Sequence, residues 1–303
     1  MGLGSLATRP GGNDVTAPKT APRRGHLSPE RYPQRDFFIA DLRDISSKDD
    51  MPSMEHPLFA LKAGDRRVRR YERNGATVAV KPGADGLATI HDKDVWIYCI
   101  SQLVHALERG REDVSRTVRF TAYAFLKATQ RATSGRDYLR FADALGRLSG
   151  TRIETNIETD GQRERSGFGL IESWRVIERG PDNRMVSVEV TLPEWLYRSV
   201  LAKQVLTIDA AYFRLRKPLD RRLYEIVRKH CGHQTDWKIA LEGLHEKSGS
   251  TAPLREFRRA VKALASTDEL PGYRLALDPT TDLVTVYSRR PKGQLKAIRD
   301  VLS

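Results

Sequence analysis

The sequence predicts an α+β fold, and three observations lead to this prediction. The chain has 303 residues, of which 39% are hydrophobic, so it can form packed cores in one to three domains. Apolar residues recur at intervals of three and four in some segments, as in helices, and alternate with polar residues in others, as in strands. The same order of helices and strands occurs twice along the chain, which predicts two domains of one kind.

The first copy begins with a short strand that ends at Phe120, after which Thr121 can cap a helix over residues 122–130. A polar turn then precedes a second helix over residues 136–148. The apolar residues of this second helix share one face: Tyr138, Phe141, Ala142, Leu145 and Leu148. The strands predicted after it, from alternating patterns, cover residues 152–159, 168–178 and 185–192.

The second copy begins with a strand at Ile239, followed by a helix over residues 240–247. Ser250 or Thr251 is predicted to cap the next helix. The apolar residues of that helix have the same three-four-three spacing as in the first copy: Leu254, Phe257, Val261 and Leu264. The strands predicted to close this copy cover residues 273–277 and 283–287.

Strand, helix, turn, helix and β-hairpin is the element order of a winged-helix domain, so we predict two such domains in tandem. The predicted organisation is a disordered basic tail over 1–35, a first winged-helix domain over 36–203, a second over 204–290 and a C-terminal tail over 291–303. The first domain is also a candidate for homodimer formation. The N-terminal tail has little to bury, and its Lys and Arg outnumber its acids by six to two. It is therefore either a solvated segment or a weak phosphate-binding arm.

The charge predicts an anionic partner. The chain has 52 Lys and Arg against 39 Asp and Glu, and its net charge is +13. Between Arg214 and Lys262, thirteen basic residues stand against six acidic ones, and such a local excess is typical of a nucleic-acid-binding surface.

The second helix of the second copy is the candidate recognition helix. Its basic residues lie within one arc, away from its apolar face: Arg255, Arg258, Arg259 and Lys262. A helix fits the major groove of DNA, and an arginine can bind guanine through two hydrogen bonds. We therefore predict that this helix binds double-stranded DNA, with Ser250 and Thr251 before it as further contacts. A solvated basic surface is the alternative.

Further DNA contacts are predicted in the first domain. Arg136, Arg140 and Arg147 form a thinner basic face on its second helix. The wings, which are the turns of the predicted hairpins, are placed near residues 161–166 and 279–282. Arg163 and Arg165 are the candidate contacts in the first wing.

Several classes of protein do not fit the sequence. The two cysteines, Cys99 and Cys231, exclude a disulfide framework and fit a reducing cytoplasm. There is neither an apolar segment of about 20 residues nor a signal-peptide core. No Gly-Lys dipeptide occurs, which excludes a P-loop, and the histidines near Cys231 lack partners at zinc-ligand spacing. We therefore expect a cytoplasmic protein with no membrane association, no metal, no cofactor and no catalytic residues.

Three motifs carry a resemblance to a known family. They cover residues 135–145, 217–225 and 245–250, and Leu254–Arg258 follows the last of them closely. On these motifs, the region from about Arg35 to Arg289 resembles bacterial plasmid replication initiators of the replication-initiator-A type. The resemblance implies tandem winged-helix domains that bind repeated double-stranded sites, called iterons, at a plasmid origin. It also implies repression of the protein's own promoter, homodimer formation and recruitment of the host initiator and replicative helicase.

Three other functions stay open at this point. A winged-helix transcriptional repressor would bind an operator without supporting replication. A single-stranded DNA-binding replication protein should expose stacking aromatic residues, whereas most aromatic residues here fall on apolar faces. A nickase would cleave supercoiled plasmid with a divalent metal.

Overall fold

The computed structural model describes residues 45–73, 76–156, 158–159, 162–163, 166–179 and 184–302. The helices in these ranges, besides a 3-10 helix over Ala210–Arg214, are α1 (Met51–Glu55), α2 (Asp94–Glu108), α3 (Ala122–Ala128), α4 (Gly135–Gly150), α5 (Glu194–Leu201), α6 (Pro218–His230), α7 (Leu241–Ser248), α8 (Leu254–Thr267) and α9 (Pro291–Leu302). The strands in these ranges are β1 (Lys48–Asp50), β2 (Arg69–Arg73), β3 (Ala76–Lys81), β4 (Thr117–Phe120), β5 (Arg152–Thr155), β6 (Glu158–Thr159), β7 (Gln162–Arg163), β8 (Ser166–Gly169), β9 (Ser173–Arg179), β10 (Arg184–Thr191), β11 (Val205–Thr207), β12 (Asp236–Ala240), β13 (Tyr273–Leu277) and β14 (Leu283–Ser288). The fold is therefore mixed α/β. The disordered tail predicted over residues 1–35 lies outside the described residues.

Two parts of the chain share one topology. Strand β4, helices α3 and α4 and strands β9 and β10 form the first part, whose sheet has the order β4-β10-β9. Strand β12, helices α7 and α8 and strands β13 and β14 form the second, whose sheet has the order β12-β14-β13. In both sheets the last strand lies in the centre and pairs antiparallel with both neighbours. We call these parts the first and second repeat.

Each repeat packs its second helix into a hydrophobic core through the predicted spacing. The apolar core residues of these helices are Phe141, Leu145 and Leu148 in α4, and Phe257, Val261 and Leu264 in α8. The two sets belong to separate clusters of buried residues, one built around α2 and the first repeat and the other around α6 and the second. The boundaries predicted for the two domains stay a prediction.

The first repeat contains an insertion between α4 and β9. Strands β5 and β8 of this insertion join β2 and β3 in a four-stranded antiparallel sheet of order β2-β3-β5-β8. The single strand predicted over residues 168–178 is interrupted, because Leu170 and Ile171 are buried where the chain passes from this sheet to β9. The wing predicted near residues 161–166 therefore lies in the insertion. The hairpin that matches β13–β14 is β9–β10, whose turn at residues 180–183 lies outside the described residues.

A buried cluster of charged side chains lies between the two cores. The ammonium nitrogen of Lys93, at the start of α2, is 2.7 Å from Asp49 Oδ2 and 3.1 Å from Glu225 Oε1 of α6. The Tyr212 hydroxyl also donates to Glu225, at 2.9 Å. Burial raises the pKa of the Asp49 carboxyl, and the charge of Lys93 opposes this increase. Because an unpaired buried charge costs about 3–5 kcal/mol, these pairs hold β1, α2 and α6 in one arrangement.

The C-terminal segment differs from the expected tail. Helix α9 covers Pro291–Leu302 and packs against β14 of the second repeat. The ammonium nitrogen of Lys296 lies 2.8 Å from Asp236 Oδ1 of β12, and the Tyr287 hydroxyl of β14 donates to Asp300 Oδ2 at 2.8 Å. A Cβ at Gly293 would lie 2.2 Å from the carbonyl oxygen of Ser288, so this close approach requires glycine.

Candidate nucleic-acid interface

The turn between α7 and α8 sets the direction of α8. Gly249 ends α7 in a left-handed conformation, with φ of +66°, and a Cβ there would lie 2.6 Å from Pro57 Cβ. Glycine therefore satisfies both the backbone conformation and the close approach. The N-cap residue of α8 is Pro253, and no side chain caps the helix.

The predicted cap at Ser250 or Thr251 is therefore wrong. Ser250 Oγ accepts a hydrogen bond from Ala252 N at 3.3 Å, inside the turn. Thr251 Oγ1 accepts one from Arg67 Nη2 at 3.1 Å. Proline at the cap position supplies an extended backbone without a side-chain acceptor, which is why the polar residues before it are used within the turn.

Helix α8 presents one apolar face to the core and one basic face to solvent. Phe257, Val261 and Leu264 are buried, whereas Arg255, Arg259 and Lys262 are exposed. None of the residues that the structure describes forms an ion pair or hydrogen bond with the side chains of these three cations. Their charges are therefore available to an external anion.

Arg258 has a different environment from the other basic residues of α8. Its guanidinium pairs with both carboxylate oxygens of Asp282, with a distance of 3.0 Å from Arg258 Nε to Asp282 Oδ1. Asp282 lies in the turn between β13 and β14 and has a positive φ of 54°. The same turn is ordered by Asp278, which accepts hydrogen bonds from Thr280 N and Thr281 Oγ1 at 2.8 and 2.6 Å. The Arg258–Asp282 pair thus connects the hairpin turn to α8.

The three candidate arginines of α4 have unequal surroundings. Arg136 is exposed, and Arg140 is exposed with its guanidinium 3.7 Å from Asp137. Arg147 instead forms two hydrogen bonds of 2.9 Å with the buried carboxylate of Asp92. The structure therefore places Arg136 and Arg140 on the surface and Arg147 in an internal ion pair.

The basic face of α8 has no counterpart on α4. When the buried residues of the two helices are matched, Arg255, Arg258, Arg259 and Lys262 correspond to Leu139, Ala142, Asp143 and Gly146. The segment 83–92, which includes Asp92, runs beside the C-terminal end of α4. A Cβ at Gly83 would lie 2.8 Å from the carbonyl oxygen of Gly150, and one at Gly146 would lie 3.8 Å from Asp85 Oδ2. The segment 83–92 therefore covers the C-terminal end of α4.

The predicted contacts in the first wing are described only in part. Arg165 lies outside the described residues. Arg163 is in β7, where its backbone pairs with Glu158 of β6. Neither residue belongs to the hairpin that matches β13–β14.

Sequence reasoning placed Asp282 in the second wing but missed its ion pair with Arg258. Its role depends on a partner 24 positions away, and only the complementary charges of Arg258 and Asp282 could have suggested the pair. Cys99 and Cys231 are buried as free thiols, and burial raises the pKa of Cys231 to about 11. Within the described ranges, no three His, Cys, Asp or Glu side chains form a group that could hold a metal ion. Among the same residues, no helix is long and apolar enough to cross a membrane.

The fold and this surface define a mixed α/β protein with two repeats, one of which presents a basic helix beside an ordered hairpin turn. A model of the family "Replication initiator protein A" matches residues 48–275, and the chain belongs to this family. It is 43% identical over 259 residues to a protein of Wigglesworthia glossinidia brevipalpis that is provisionally named a replication protein. That alignment covers 84% of this chain and 94% of the relative. The predicted resemblance is thus confirmed, and the membership supports a replication initiator role.

Two solved structures share the fold. Both contain domains 2 and 3 of RctB, one of them as a selenomethionine derivative. The derivative has a TM-score of 0.56 and the other a TM-score of 0.53, each at 11% identity. Each match covers 77% of this chain, with 96% and 95% of the two RctB chains. At this identity the likeness concerns the fold alone.

Proposed function

We propose that this protein initiates plasmid replication by binding repeated double-stranded DNA sites at the origin. The observation that carries the proposal is the basic face of α8, on which Arg255, Arg259 and Lys262 are exposed and have no described partner. A surface that neutralises phosphates or binds base edges needs cations that are not already paired within the protein.

Both repeats are proposed to be winged-helix domains, with α8 as the main recognition helix. The shared order of strand, two helices and hairpin supports this interpretation. An α-helix can enter the major groove, where the forked guanidinium of an arginine matches O6 and N7 of guanine. The neighbouring β13–β14 turn would then contact the DNA backbone or the minor groove.

Arg258 is proposed to act through the wing. Its ion pair with Asp282 holds the turn against α8, so α8 and the turn would approach DNA as one preformed surface. This arrangement reduces the ordering that binding requires. Ser250 and Thr251 stay candidate contacts at the start of α8, and their oxygen atoms already accept hydrogen bonds inside the protein.

The first repeat is proposed to add weaker contacts through Arg136 and Arg140. Arg147 is better suited to stabilising the fold, because both of its hydrogen bonds reach a buried carboxylate. Contacts from Arg163 and Arg165 belong to the same proposal.

The remaining parts of the proposal rest on the family. They are action without an enzymatic step, repression of the protein's own promoter, homodimer formation, recruitment of the host initiator and replicative helicase, and a place in the bacterial cytoplasm on plasmid DNA. No cofactor is required for any of these steps.

The test is a selection of duplexes from a random double-stranded library with the purified full chain. The affinity for the selected sequence is then measured as duplex and as single strands at two salt concentrations. A defined motif that is bound more tightly as duplex, with affinity falling as salt rises, supports the proposal. A preference for single strands contradicts it.

A second assay separates an initiator from a repressor. A plasmid that carries tandem copies of the selected motif beside this gene is introduced into a host that cannot otherwise replicate it. Replication that depends on the gene supports the initiator. Binding and promoter repression without replication would instead identify a transcriptional repressor.

A further inference from the structure

A second basic site lies at the other end of the β13–β14 hairpin. There, an open cavity of about 480 Å³ is lined by Arg228 of α6, by His233, and by Arg289 and Arg290 immediately before α9. Its walls also include Tyr224 and Tyr273. This volume is within the range of about 300–1,000 Å³ that is typical of small-molecule sites.

The cavity is separate from the α8 surface. It lies where Tyr273 pairs with Ser288, whereas the turn that holds Asp282 follows the pair Leu277 and Val284. Four residues of extended strand separate these pairs, which is about 13 Å. A ligand in the cavity therefore meets residues other than the basic face of α8.

Two of the cavity's arginines keep an uncompensated charge. Arg228 donates from Nε to the carbonyl oxygen of Thr207 at 2.7 Å, so a neutral group fixes its position. Arg290 is exposed, and its side chain has no partner among the described residues. Arg289, by contrast, is neutralised by Asp268, whose Oδ1 lies 2.9 Å from its Nη2.

The potential in the cavity is positive. Arg290 and Arg228 both lower the pKa of the His233 imidazole by electrostatic repulsion, with Arg290 the larger cause. The carboxylate that lines the cavity is Asp209, and its Oδ1 accepts a hydrogen bond from Ala211 N at 2.8 Å. Two guanidinium groups without a carboxylate partner among the described residues thus stand against one lining carboxylate, so the cavity carries an excess of positive charge that an anion would compensate.

We propose that this cavity binds a phosphate ester group through Arg228 and Arg290. Arginine is suited to this ligand because its planar fork can donate two parallel hydrogen bonds to phosphate oxygens. Tyr224 and Tyr273 also line the cavity, and the group that carries the phosphate would lie against them. A free nucleotide and the backbone of a nucleic acid both supply this chemistry, and the test separates them.

The test compares Arg290→Gln with Lys292→Gln in the full chain. Each change removes one exposed cation next to the N-terminus of α9, but Lys292 does not line the cavity. ATP and inorganic phosphate are titrated into each protein by calorimetry at constant ionic strength. The salt dependence of binding to the selected duplex is measured in parallel.

If the phosphate group belongs to a free nucleotide, the wild type should bind ATP saturably. Arg290→Gln should then weaken ATP binding by about tenfold, whereas Lys292→Gln should not. If the source is a nucleic-acid backbone, ATP does not bind saturably, and Arg290→Gln alone reduces the salt slope of duplex binding by about one. Equal behaviour of the two variants in both assays overturns the proposal. So does the absence of binding to both ATP and duplex.

The ATP assay also keeps this proposal distinct from the proposed DNA-binding function. Arg259→Gln should weaken duplex binding through α8 and leave ATP binding unchanged. Loss of ATP binding in Arg259→Gln would mean that ATP occupies the α8 surface, which contradicts a separate site.

Discussion

Helices α4 and α8 occupy the same position in two repeats of one topology, yet their outer faces differ. Both helices bury an aromatic residue followed by two aliphatic residues at the same spacing. On α8, three cations of the outer face are exposed and without a described partner. At the matching positions α4 has Leu139, Asp143 and Gly146, and Arg147 beside them is paired with Asp92.

This difference shows that a shared core does not imply a shared surface. The segment 83–92 packs against the C-terminal end of α4, and a side chain at position 146 would approach Asp85. The second repeat carries Lys262 at the matching position, and that residue is exposed. The first repeat therefore uses this part of its second helix for contacts within the protein, whereas the matching part of α8 is exposed and belongs to the proposed DNA-binding surface.

The largest expected effects concern the shared core. Phe141→Ala and Phe257→Ala should each lower the free energy of unfolding by about 3–5 kcal/mol, because each removes a fully buried ring and leaves a cavity. Urea denaturation followed by circular dichroism measures both changes. A cost below about 1 kcal/mol for one variant and not the other would show that the two cores are not equivalent.

The next prediction distinguishes the structural role of Arg147 from that of the exposed arginines of α4. Arg147→Ala should lower the free energy of unfolding by about 2–3 kcal/mol, because it removes the cation that pairs with the buried carboxylate of Asp92 and leaves Thr89 N as the remaining donor among the described residues. The duplex affinity of the folded variant should stay unchanged. Arg136→Ala is the matched control and should change stability by less than about 0.5 kcal/mol. A fall in duplex affinity without a loss of stability in Arg147→Ala would instead support the predicted DNA contact.

Arg259→Ala should show the opposite pattern. We expect the folded state to be unaffected and the selected duplex to bind about 1–3 kcal/mol more weakly, if this side chain binds a base. Gel-shift titrations on the selected duplex and on an unrelated duplex measure this effect. Equal losses on both duplexes would indicate a phosphate contact, and no loss on either would exclude Arg259 from the interface.

A smaller effect should appear in the pH dependence of stability. Burial, with a contribution from Arg221, lowers the pKa of His91 to about 4. His91 belongs to the segment 83–92 that packs on α4. In the unfolded chain the pKa of a histidine is about 6.5, so below that pH the unfolded state binds a proton that the folded state does not. The contribution of His91 to the free energy of unfolding is therefore fully present above about pH 6.5 and is lost as the pH falls towards 4. On lowering the pH from 7.5 to 5, His91 should reduce the free energy of unfolding by about 1–2 kcal/mol.

His91→Gln tests the assignment of this pH dependence. Glutamine does not titrate, so the variant should lose less stability than the wild type over the same pH interval. Urea denaturation at the two pH values measures the difference. An unchanged pH dependence in His91→Gln would assign the effect to other groups.

Sequence reasoning predicted the local structure of both repeats well, because the apolar spacing directly reports which helix face is buried. Thr121 caps α3 as predicted, and its side chain accepts a hydrogen bond from Ala124 N. The helix predicted over residues 136–148 is α4, Gly135–Gly150.

The pairing of strands and of charged side chains that are distant in the sequence could not be predicted from the sequence pattern. Alternation predicts a strand but not its partner, so the insertion sheet and the true match of the β13–β14 hairpin could not be inferred. Arg147 and Arg258 differ from the neighbouring arginines because each forms an ion pair. The partners in these pairs are 55 and 24 positions away in the sequence. Their carboxylate partners follow no periodic pattern.

The most direct test of the proposed α8 interface compares two triple variants with equal net charge. One is Arg255→Gln with Arg259→Gln and Lys262→Gln, and the other is Arg274→Gln with Lys292→Gln and Arg299→Gln, all exposed residues outside α8. We expect the first to lose duplex affinity by at least about 100-fold, with a salt slope smaller by about three, and the second to bind nearly as the wild type does. Equal losses in the two variants would show that net charge, and not the face of α8, binds the DNA.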